Sequence, residues 1–358
     1  MSIDGDVLVT GATGLLGGAA LAELLRASPE LRALALVRSA ARARTLPGGR
    51  VQPLFGDLRA PGLGLGTGAR DRLSNVRLVL HCAADTNFGR SLAEARAVNT
   101  EGTARLLELC AGIPGLRFVY VSTAFVAGRR TGCIPEAAGA GNAGFVNAYE
   151  QSKREAEDLV LGSGLDAVVL RPSTLACDAT TGEVLQQNAL HRALWLTFNG
   201  LVPMLPGSDD VPLDVVPHDW AARAVARLAI EAPSGAVLHL CAGARAPRLG
   251  ALLDLTLSLL RASPEFRRRG VDRPGMVDSA TWRLFSATVA EVGKPRLRRI
   301  LAGLSHFTPQ LSLPKRFETA RAEALLGERA PAVETWWPRM IGWLLQTRWA
   351  TARAGEAA

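Results

Sequence analysis

The sequence predicts an α/β protein with a doubly wound parallel sheet and a smaller, mainly helical C-terminal lobe. Two observations carry this prediction. Short apolar runs rich in Val and Leu alternate with longer stretches of helical pattern through the first half of the chain. These runs also lack the polar alternation of a half-exposed sheet, so we expect strands that are buried on both faces.

The expected elements follow one another as strand, helix, strand. Buried strands are predicted at Val7–Thr10, Ala33–Val37, Val51–Phe55, Arg77–Cys82, Leu116–Ser122 and Asp166–Arg171, with helices at Leu15–Ala27, Ser91–Cys110 and Tyr149–Leu161. A last strand, Ala236–Cys241, follows a helix at Trp220–Glu231 and is expected to rejoin the sheet. This repeated order favours parallel strands with helices on both faces.

The length of 358 residues suits two domains, or one large α/β unit with an extension. We assign residues 1–175 and 212–241 to the sheet domain. Residues 176–211 and 242–358 contain Pro and Gly breaks and a helical stretch at Gly250–Ser263. We therefore expect them to form a discontinuous lobe that covers the carboxyl ends of the strands.

The composition is that of an ordinary globular protein, with 48% hydrophobic and 21% charged residues, which excludes collagen-like, coiled-coil and disordered chains. The five cysteines are widely spaced, so we expect neither a disulfide framework nor a metal site and favour the reducing cytoplasm. No apolar run is long enough to span a membrane, and no signal peptide is expected. The net charge of +8 is carried mainly by Arg and favours acidic partners in general rather than nucleic acid.

The turn after the first strand has the glycine pattern of a phosphate-binding loop. Gly11, Gly14 and Gly17 stand between a predicted strand and a predicted helix. The first permits a tight bend, the second lets a pyrophosphate approach the backbone, and the third lets the helix pack closely on the strand. The N–H groups of the helix N-terminus would face the phosphates. The pattern predicts a Rossmann-type dinucleotide site.

The end of the second strand indicates which dinucleotide is bound. A site that selects NAD usually has Asp or Glu there, whereas this chain has Arg38 followed by Ser39. A guanidinium pairs with a 2′-phosphate, so we predict NADP(H). Arg42 and Arg44 are explained as well by a solvated helix face. Asp57, after the third strand, either accepts from the adenine amine or belongs to a plain surface turn.

Tyr149 and Lys153 stand four residues apart at the start of a predicted helix and therefore on one face of it. The chain has only 2 Tyr, so this spacing is rare by chance. The ammonium can lower the phenol pKa and reach the nicotinamide ribose, which makes the tyrosine a proton donor. Ser122 and Thr123 end the preceding strand at the sheet edge where ligands bind. One of these hydroxyls would donate to a substrate oxygen.

These motifs together resemble an extended short-chain dehydrogenase/reductase. They are TGATGLLG, HCAAD (His81–Asp85), VNTEGT (Val98–Thr103), VSTAFVAG, YEQSK and LRPS (Leu170–Ser173). The runs VSTAFVAGRRTGCIPE and LPKRFETARAEALLG are similar to a narrower branch, the thioester reductases and fatty acyl-CoA reductases of the "male sterility" type. The resemblance is good over residues 5–240 and patchy beyond.

The resemblance implies a role for each matching residue. Thr123, Tyr149 and Lys153 form the catalytic set, with Tyr149 as the acid and Lys153 as its helper. The residues implied around the cofactor are Thr10, Gly11, Thr13, Gly14, Leu15, Leu16 and Gly17 at the pyrophosphate, Arg38 and Ser39 at the 2′-phosphate, Asp57, Leu58, Ala83 and Ala84 at the adenosine, and Ser122, Tyr149, Lys153, Pro172 and Ser173 towards the nicotinamide. Asn99 either joins them or braces the helix. Cys177 departs from the Gly of similar sequences, and we expect it to change the shape of the substrate mouth.

The resemblance implies an NADPH-dependent reductase of acyl thioesters that forms an aldehyde and, with a second hydride, an alcohol. The thioester would be carried by coenzyme A or by a carrier protein, both acidic. Arg clusters at Arg267–Arg269 and Arg296–Arg299 suit such partners, although a solvated surface explains them equally well.

Two alternatives stay open. One is an NADP-dependent oxidoreductase or epimerase of hydroxyl or ketone groups on steroid-like or sugar-nucleotide substrates. The other is a non-catalytic NADP-sensing module, against which the intact Tyr149 and Lys153 weigh.

The C-terminal stretch Val333–Trp349 places four Trp residues in a helical pattern with one apolar face. We favour a helix that caps the substrate lobe. A contact with an acyl chain or a membrane surface is the alternative, because Trp and Arg suit an interface.

Overall fold

The computed structural model describes residues 5–66, 68, 71–139, 143–295, 298, 301 and 307–350. Within them, seven parallel strands form the main sheet in the order β11-β7-β5-β4-β1-β2-β3. The strands of this sheet are β1 (Asp6–Thr10), β2 (Ala33–Val37), β3 (Val51–Phe55), β4 (Val76–His81), β5 (Arg117–Val121), β7 (Asp166–Pro172) and β11 (Val237–Leu240). The predicted doubly wound sheet is confirmed, and the last predicted strand does rejoin it, beside β7.

Short strands pair outside the main sheet. They are β6 (Gly132–Ile134) with β13 (Lys315–Phe317), β8 (Thr174–Leu175) with β10 (Val215–Val216), and β9 (Met204–Pro206) with β12 (Gly275–Val277). The α-helices are α1 (Leu15–Ala27), α2 (Ala40–Ala43), α3 (Leu92–Asn99), α4 (Glu101–Cys110), α5 (Ala148–Leu161), α6 (Ala189–Phe198), α7 (His218–Glu231), α8 (Leu249–Leu260), α9 (Pro264–Arg269), α10 (Ser279–Val292), α11 (Ala320–Leu326) and α12 (Val333–Gln346).

Each face of the sheet has its own apolar core. Val7 and Val9 pack with α1, α7 and α11 on one face, while Leu8 between them packs with α4 and α5 on the other. Successive strand residues point to opposite faces, so a strand that is apolar throughout must be covered twice. The absence of polar alternation in the sequence has this physical cause.

The helix predicted at Ser91–Cys110 is two helices, α3 and α4, which meet at Thr100. Thr100 is the C-cap of α3 and the N-cap of α4, and its backbone, with φ −93° and ψ −60°, stays in the right-handed helical region. Its hydroxyl donates to the Ser152 carbonyl on α5 at 3.0 Å. The predicted helical stretch is therefore present but divided into two helices at Thr100.

A third apolar core holds the helical lobe together. It gathers Ala176, Cys177 and Val184 with residues of α6, α8, α9 and α12. Trp336 and Trp337 of α12 are 0% and 1% exposed in it, as expected for a helix that caps the lobe. Cys177 is also fully buried there, so its thiol adds to this core rather than to an open mouth. The domain limits at residues 175, 211 and 241 stay a prediction.

Among the described residues, the helices are all too short or too polar to cross a bilayer.

Candidate active site

The glycine turn lies between β1 and α1 and makes close backbone contacts. Gly11 has φ +74°, a conformation that side chains disfavour, and a Cβ there would lie 2.7 Å from the Ala83 nitrogen. A Cβ on Gly17 would lie 2.4 Å from the Gly11 oxygen. Gly14 is the N-cap of α1, no side chain caps this helix end, and a Cβ there would meet only the Gly11 oxygen, at 3.2 Å. Gly11 and Gly17 thus have the geometry predicted for the bend and for helix packing, and the approach of a pyrophosphate at Gly14 stays a prediction.

This turn fits a dinucleotide pyrophosphate. The space beside Gly14 and the uncapped N-terminus of α1 are what a phosphate needs there. Thr13 lies in the turn, and Leu15 and Leu16 form the first turn of α1. Ser122 adds a buried hydroxyl at the same sheet edge, 4% exposed and without a hydrogen-bond partner in the described part of the chain.

Some of the residues predicted around the ribose and adenine form hydrogen bonds with neighbouring residues of the chain. Arg38 is exposed directly after β2, while the Ser39 hydroxyl caps α2 by accepting from the Arg42 N–H at 3.3 Å. Asp57 accepts from the backbone and side chain of Arg59, which holds the pKa of its carboxyl below the usual value, with a smaller effect from Arg38. Leu58 is buried in the sheet core. Asp57 therefore belongs to a surface turn, and its contact with the adenine amine stays a prediction.

A buried histidine organises the strand ends around the turn. The Ala83 N–H donates to the Thr10 hydroxyl at 3.1 Å, and Thr10 lies 2.6 Å from Nδ1 of His81. On the other side, Nε2 of His81 lies 2.9 Å from the Thr103 hydroxyl, which donates to the Asn99 carbonyl at 2.6 Å. These bonds are all satisfied by a neutral ring that carries its proton on Nε2. Burial, helped by the charge of Lys153, lowers the His81 pKa to about 3, which keeps the ring neutral.

Asn99 continues this network to the helix that carries Tyr149. Its amide oxygen accepts from the Asp85 N–H at 2.8 Å, and its amide nitrogen donates to the Asp85 carbonyl at 3.1 Å and to the Ser152 hydroxyl at 2.9 Å. Ser152 donates to the Tyr149 carbonyl at 3.0 Å. Asn99 thus braces the helix, the second of the two roles considered for it. Sequence reasoning included His81 in a motif but assigned it no role.

Thr123, Tyr149 and Lys153 come together at the carboxyl edge of the sheet. Thr123 follows β5, and the other two lie in the first two turns of α5, whose N-cap is Asn147. The Thr123 hydroxyl accepts from the Phe125 N–H at 3.3 Å and lies near enough to the Tyr149 phenol to lower its pKa. All three are buried, with Tyr149 8% exposed and Lys153 1% exposed. Burial raises the pKa of the Tyr149 phenol, against the lowering effect of Thr123.

Lys153 is placed differently from the expectation. Its Nζ donates to the Val121 carbonyl at 2.8 Å and lies 4.0 Å above the Tyr120 ring. Burial lowers its pKa to about 7, although the Glu157 carboxylate acts in the opposite direction. Burial dominates at Tyr149, whose pKa lies above its ordinary value, and the lowering of the phenol pKa by this ammonium stays a prediction.

The next strand end completes this edge of the sheet. Pro172 is the last residue of β7, and Ser173 follows it, 6% exposed. Ala83 and Ala84 follow β4 and are half-buried.

Across the part of the chain described, no three His, Cys, Asp or Glu side chains come together as a metal ion would need.

Two contacts of the Tyr149 region were not predicted. The ring of Phe88, in the loop after β4, lies against the Tyr149 ring. Glu150 is buried and accepts from Gln310 at 2.5 Å, and Lys315 in turn donates to Gln310. Burial raises the pKa of Glu150 to about 7 and lowers that of Lys315 to about 8. No local pattern marks these residues, because their partners are distant in the sequence.

The family model described as "Male sterility protein", an NAD-binding model, matches residues 9–225. Together with the parallel sheet, this match defines an NAD(P)-dependent oxidoreductase of the extended short-chain dehydrogenase/reductase type. Within that class, the chain belongs to the male sterility protein family.

The similar proteins include a gramicidin synthase, a fatty acyl-CoA reductase and an R domain of a PKS-NRPS pathway. The chain is 29% identical over 248 residues to a linear gramicidin synthase from Brevibacillus parabrevis, covering 62% of this chain and 5% of that protein. It is 31% identical over 146 residues to a putative fatty acyl-CoA reductase of Drosophila melanogaster, covering 34% of this chain and 28% of that protein. The terminal R domain from the myxalamid PKS-NRPS biosynthetic pathway has a TM-score of 0.79 at 25% identity, over 97% of this chain and 92% of that chain. The chain spans a small part of these curated relatives.

Proposed function

We propose that this protein is an NADPH-dependent reductase of acyl thioesters. The observation that carries the proposal is the set of Thr123, Tyr149 and Lys153, buried at one sheet edge beside the glycine turn. The names of the relatives support the substrate class, since they include a fatty acyl-CoA reductase and a gramicidin synthase.

NADPH, when bound, supplies the hydride that reduces the thioester carbonyl. The Thr123 hydroxyl and the Tyr149 phenol lie near each other and would donate to the carbonyl oxygen as negative charge develops on it. Because burial keeps the phenol protonated, Tyr149 can give its proton to that oxygen. The resulting hemithioacetal loses its thiol to leave an aldehyde. A second hydride transfer would reduce the aldehyde to an alcohol.

Lys153 acts through its position. Its ammonium on the Val121 carbonyl lies next to the strand end that carries Ser122 and Thr123. From there it would donate to the nicotinamide ribose. Arg38 would meet the 2′-phosphate, because it stands exposed where an NAD-selective site has an acid.

The thioester is carried by coenzyme A or by a carrier protein in this proposal. The gramicidin synthase and the PKS-NRPS R domain among similar proteins favour a carrier protein. The Arg267–Arg269 cluster gives weaker support, because Arg267 donates to the Arg261 carbonyl and Arg269 pairs with Glu265. In the second cluster, Arg296 and Arg299 lie outside the described residues.

Residues 176–211 and 242–358 are proposed as the substrate lobe. Five free thiols suit the cytoplasm.

The test is product analysis with NADPH over a panel of acyl-CoA and acyl-carrier-protein thioesters. We expect NADPH oxidation with aldehyde or alcohol formed. Tyr149→Phe and Thr123→Val should reduce kcat about 100-fold or more while the Kd for NADPH changes little. Turnover of ketones or alcohols alone would support the alternative oxidoreductase, and full activity of Tyr149→Phe would refute the assignment of the acid.

A further inference from the structure

Phe88 is the aromatic residue that covers Tyr149. It lies in the loop that joins β4 to α3, and its ring centroid is 5.2 Å from that of Tyr149 at an interplanar angle of 44°. This distance is within the range of favourable aromatic pairs. Phe88 itself is half-buried.

The loop that carries Phe88 is held by its own hydrogen bonds. Asp85 accepts from the Asn87 N–H at 3.0 Å and pairs with Arg90 at 3.2 Å, and Asn87 accepts from the Gly89 N–H at 3.0 Å. The backbone of Asp85 is clamped by Asn99, which also donates to Ser152 on α5. The loop and the catalytic helix are thus tied by one amide group, which fixes Phe88 relative to Tyr149.

We propose that Phe88 is a positioning residue that holds the Tyr149 phenol towards Thr123 and shields it from water. The proposal rests on the function proposed above. Phe88 packs on the phenol ring, and Thr123 lies near enough to the phenol to lower its pKa. A ring held by this packing keeps the geometry that proton donation needs. Water exclusion also disfavours the phenolate, which agrees with the raised pKa of Tyr149.

The charged groups described around Tyr149 do not hold its ring in place, so we assign the positioning role to an uncharged side chain, that of Phe88. On α5, the Glu150 carboxylate opposes ionisation of the phenol, and Lys153 is directed to the Val121 carbonyl. On β5, burial raises the pKa of Tyr120, so this neighbour stays uncharged. In the loop, Asp85 and Arg90 pair with each other. Removing the Phe88 ring therefore changes the solvation of the phenol without removing a charge.

The first test compares Phe88→Ala with wild type on the best thioester. We expect kcat to fall about 10- to 100-fold, the KM for NADPH to stay, and the basic limb of the pH–rate profile to move to lower pH. Phe88→Tyr keeps a ring on Tyr149 and should restore both kcat and the position of the basic limb. Phe285→Ala is the matched control, because Phe285 is half-buried and packs on Trp282 at 5.6 Å and 42°. It should leave the pH profile in place.

A second measurement needs no turnover. Nitration by tetranitromethane, followed by mass spectrometry, reports the access of reagent to each tyrosine. Phe88→Ala should speed nitration at Tyr149, while Tyr120, which is 0% exposed, serves as the internal reference. Unchanged nitration, or a loss of kcat with the basic limb unmoved, overturns the proposal. If wild type reduces no thioester, the proposed function fails, but the nitration rates still decide whether Phe88 covers Tyr149.

Discussion

The lysine of the proposed catalytic set is a buried charge with one hydrogen bond to a carbonyl and one aromatic neighbour. Taking an ammonium out of water is costly, and Val121 and Tyr120 compensate for it only in part, so the pKa of Lys153 falls to about 7. Near neutral pH, both the charged and the neutral form of Lys153 are therefore populated.

This shift predicts a pH-dependent stability. Between about pH 7 and pH 10.5, the unfolded chain holds a proton on Lys153 that the folded chain lacks, so raising the pH favours folding. Below pH 7 both states are protonated and the effect is flat. The unfolding free energy of wild type minus that of Lys153→Met should rise by about 1.4 kcal/mol per pH unit between pH 7 and 9. Chemical denaturation at several pH values measures it. Lys294→Met, at an exposed lysine, should give a nearly constant difference.

Arg38 decides the choice of dinucleotide in our proposal. It is exposed after β2, and its charge already acts on Asp57. Arg38→Glu should raise the KM for NADPH about tenfold or more and improve the relative use of NADH, because a carboxylate repels the 2′-phosphate and accepts from a 2′-hydroxyl. Arg44→Glu makes the same charge change at another exposed position, the C-cap of α2. An equal effect of both variants would mean that net charge alone, not a contact by Arg38, sets the preference.

At the scale of elements, the packing of α1 on β1 depends on Gly17. Its added Cβ would lie 2.4 Å from the Gly11 oxygen and 3.0 Å from Cβ of Cys82, so α1 would have to move away from the strand. Gly17→Ala should lower Tm by several degrees and weaken NADPH binding about tenfold or more. Gly342→Ala is the control in α12, where a Cβ meets nothing within 4 Å. It should be neutral or stabilising, since Ala favours helix over Gly. Thermal unfolding and NADPH titration measure both variants.

The sequence predicts those elements whose signals are local. The apolar strands, the glycine turn and the helix of Tyr149 follow from patterns within a few residues. The Thr100 hydroxyl donates to a carbonyl 52 positions away, and the position of the Lys153 ammonium depends on Val121. Local hydrogen bonds also compete with ligand roles, as Ser39 shows when it caps α2. Tertiary contacts of this kind leave no periodic trace in the sequence.

At the scale of the molecule, the C-terminal part of the chain reaches the catalytic helix directly. Glu150 lies beside Tyr149 and is bound by Gln310, which Lys315 holds in turn. Glu136 joins the same C-terminal segment to β11 by accepting from the backbone of His239, Arg321 and Ala322. The segment from 308 to 322 therefore supports both the proposed acid and the edge of the sheet.

The helix α12 gives the last test, because it separates a structural role from a membrane role. Trp337 is buried and donates to the Thr256 hydroxyl at 3.0 Å, so Trp337→Ala leaves a cavity and removes one hydrogen bond, while that hydroxyl keeps its bond to the Leu252 carbonyl. We expect it to cost about 3–5 kcal/mol of unfolding free energy, and Trp343→Ala, at a half-buried position of the same helix, to cost less. Because α12 turns its apolar face inward, wild-type protein should stay in the supernatant when anionic liposomes are sedimented. Co-sedimentation that Trp343→Ala abolishes would instead mean that α12 presents its aromatic residues to the membrane.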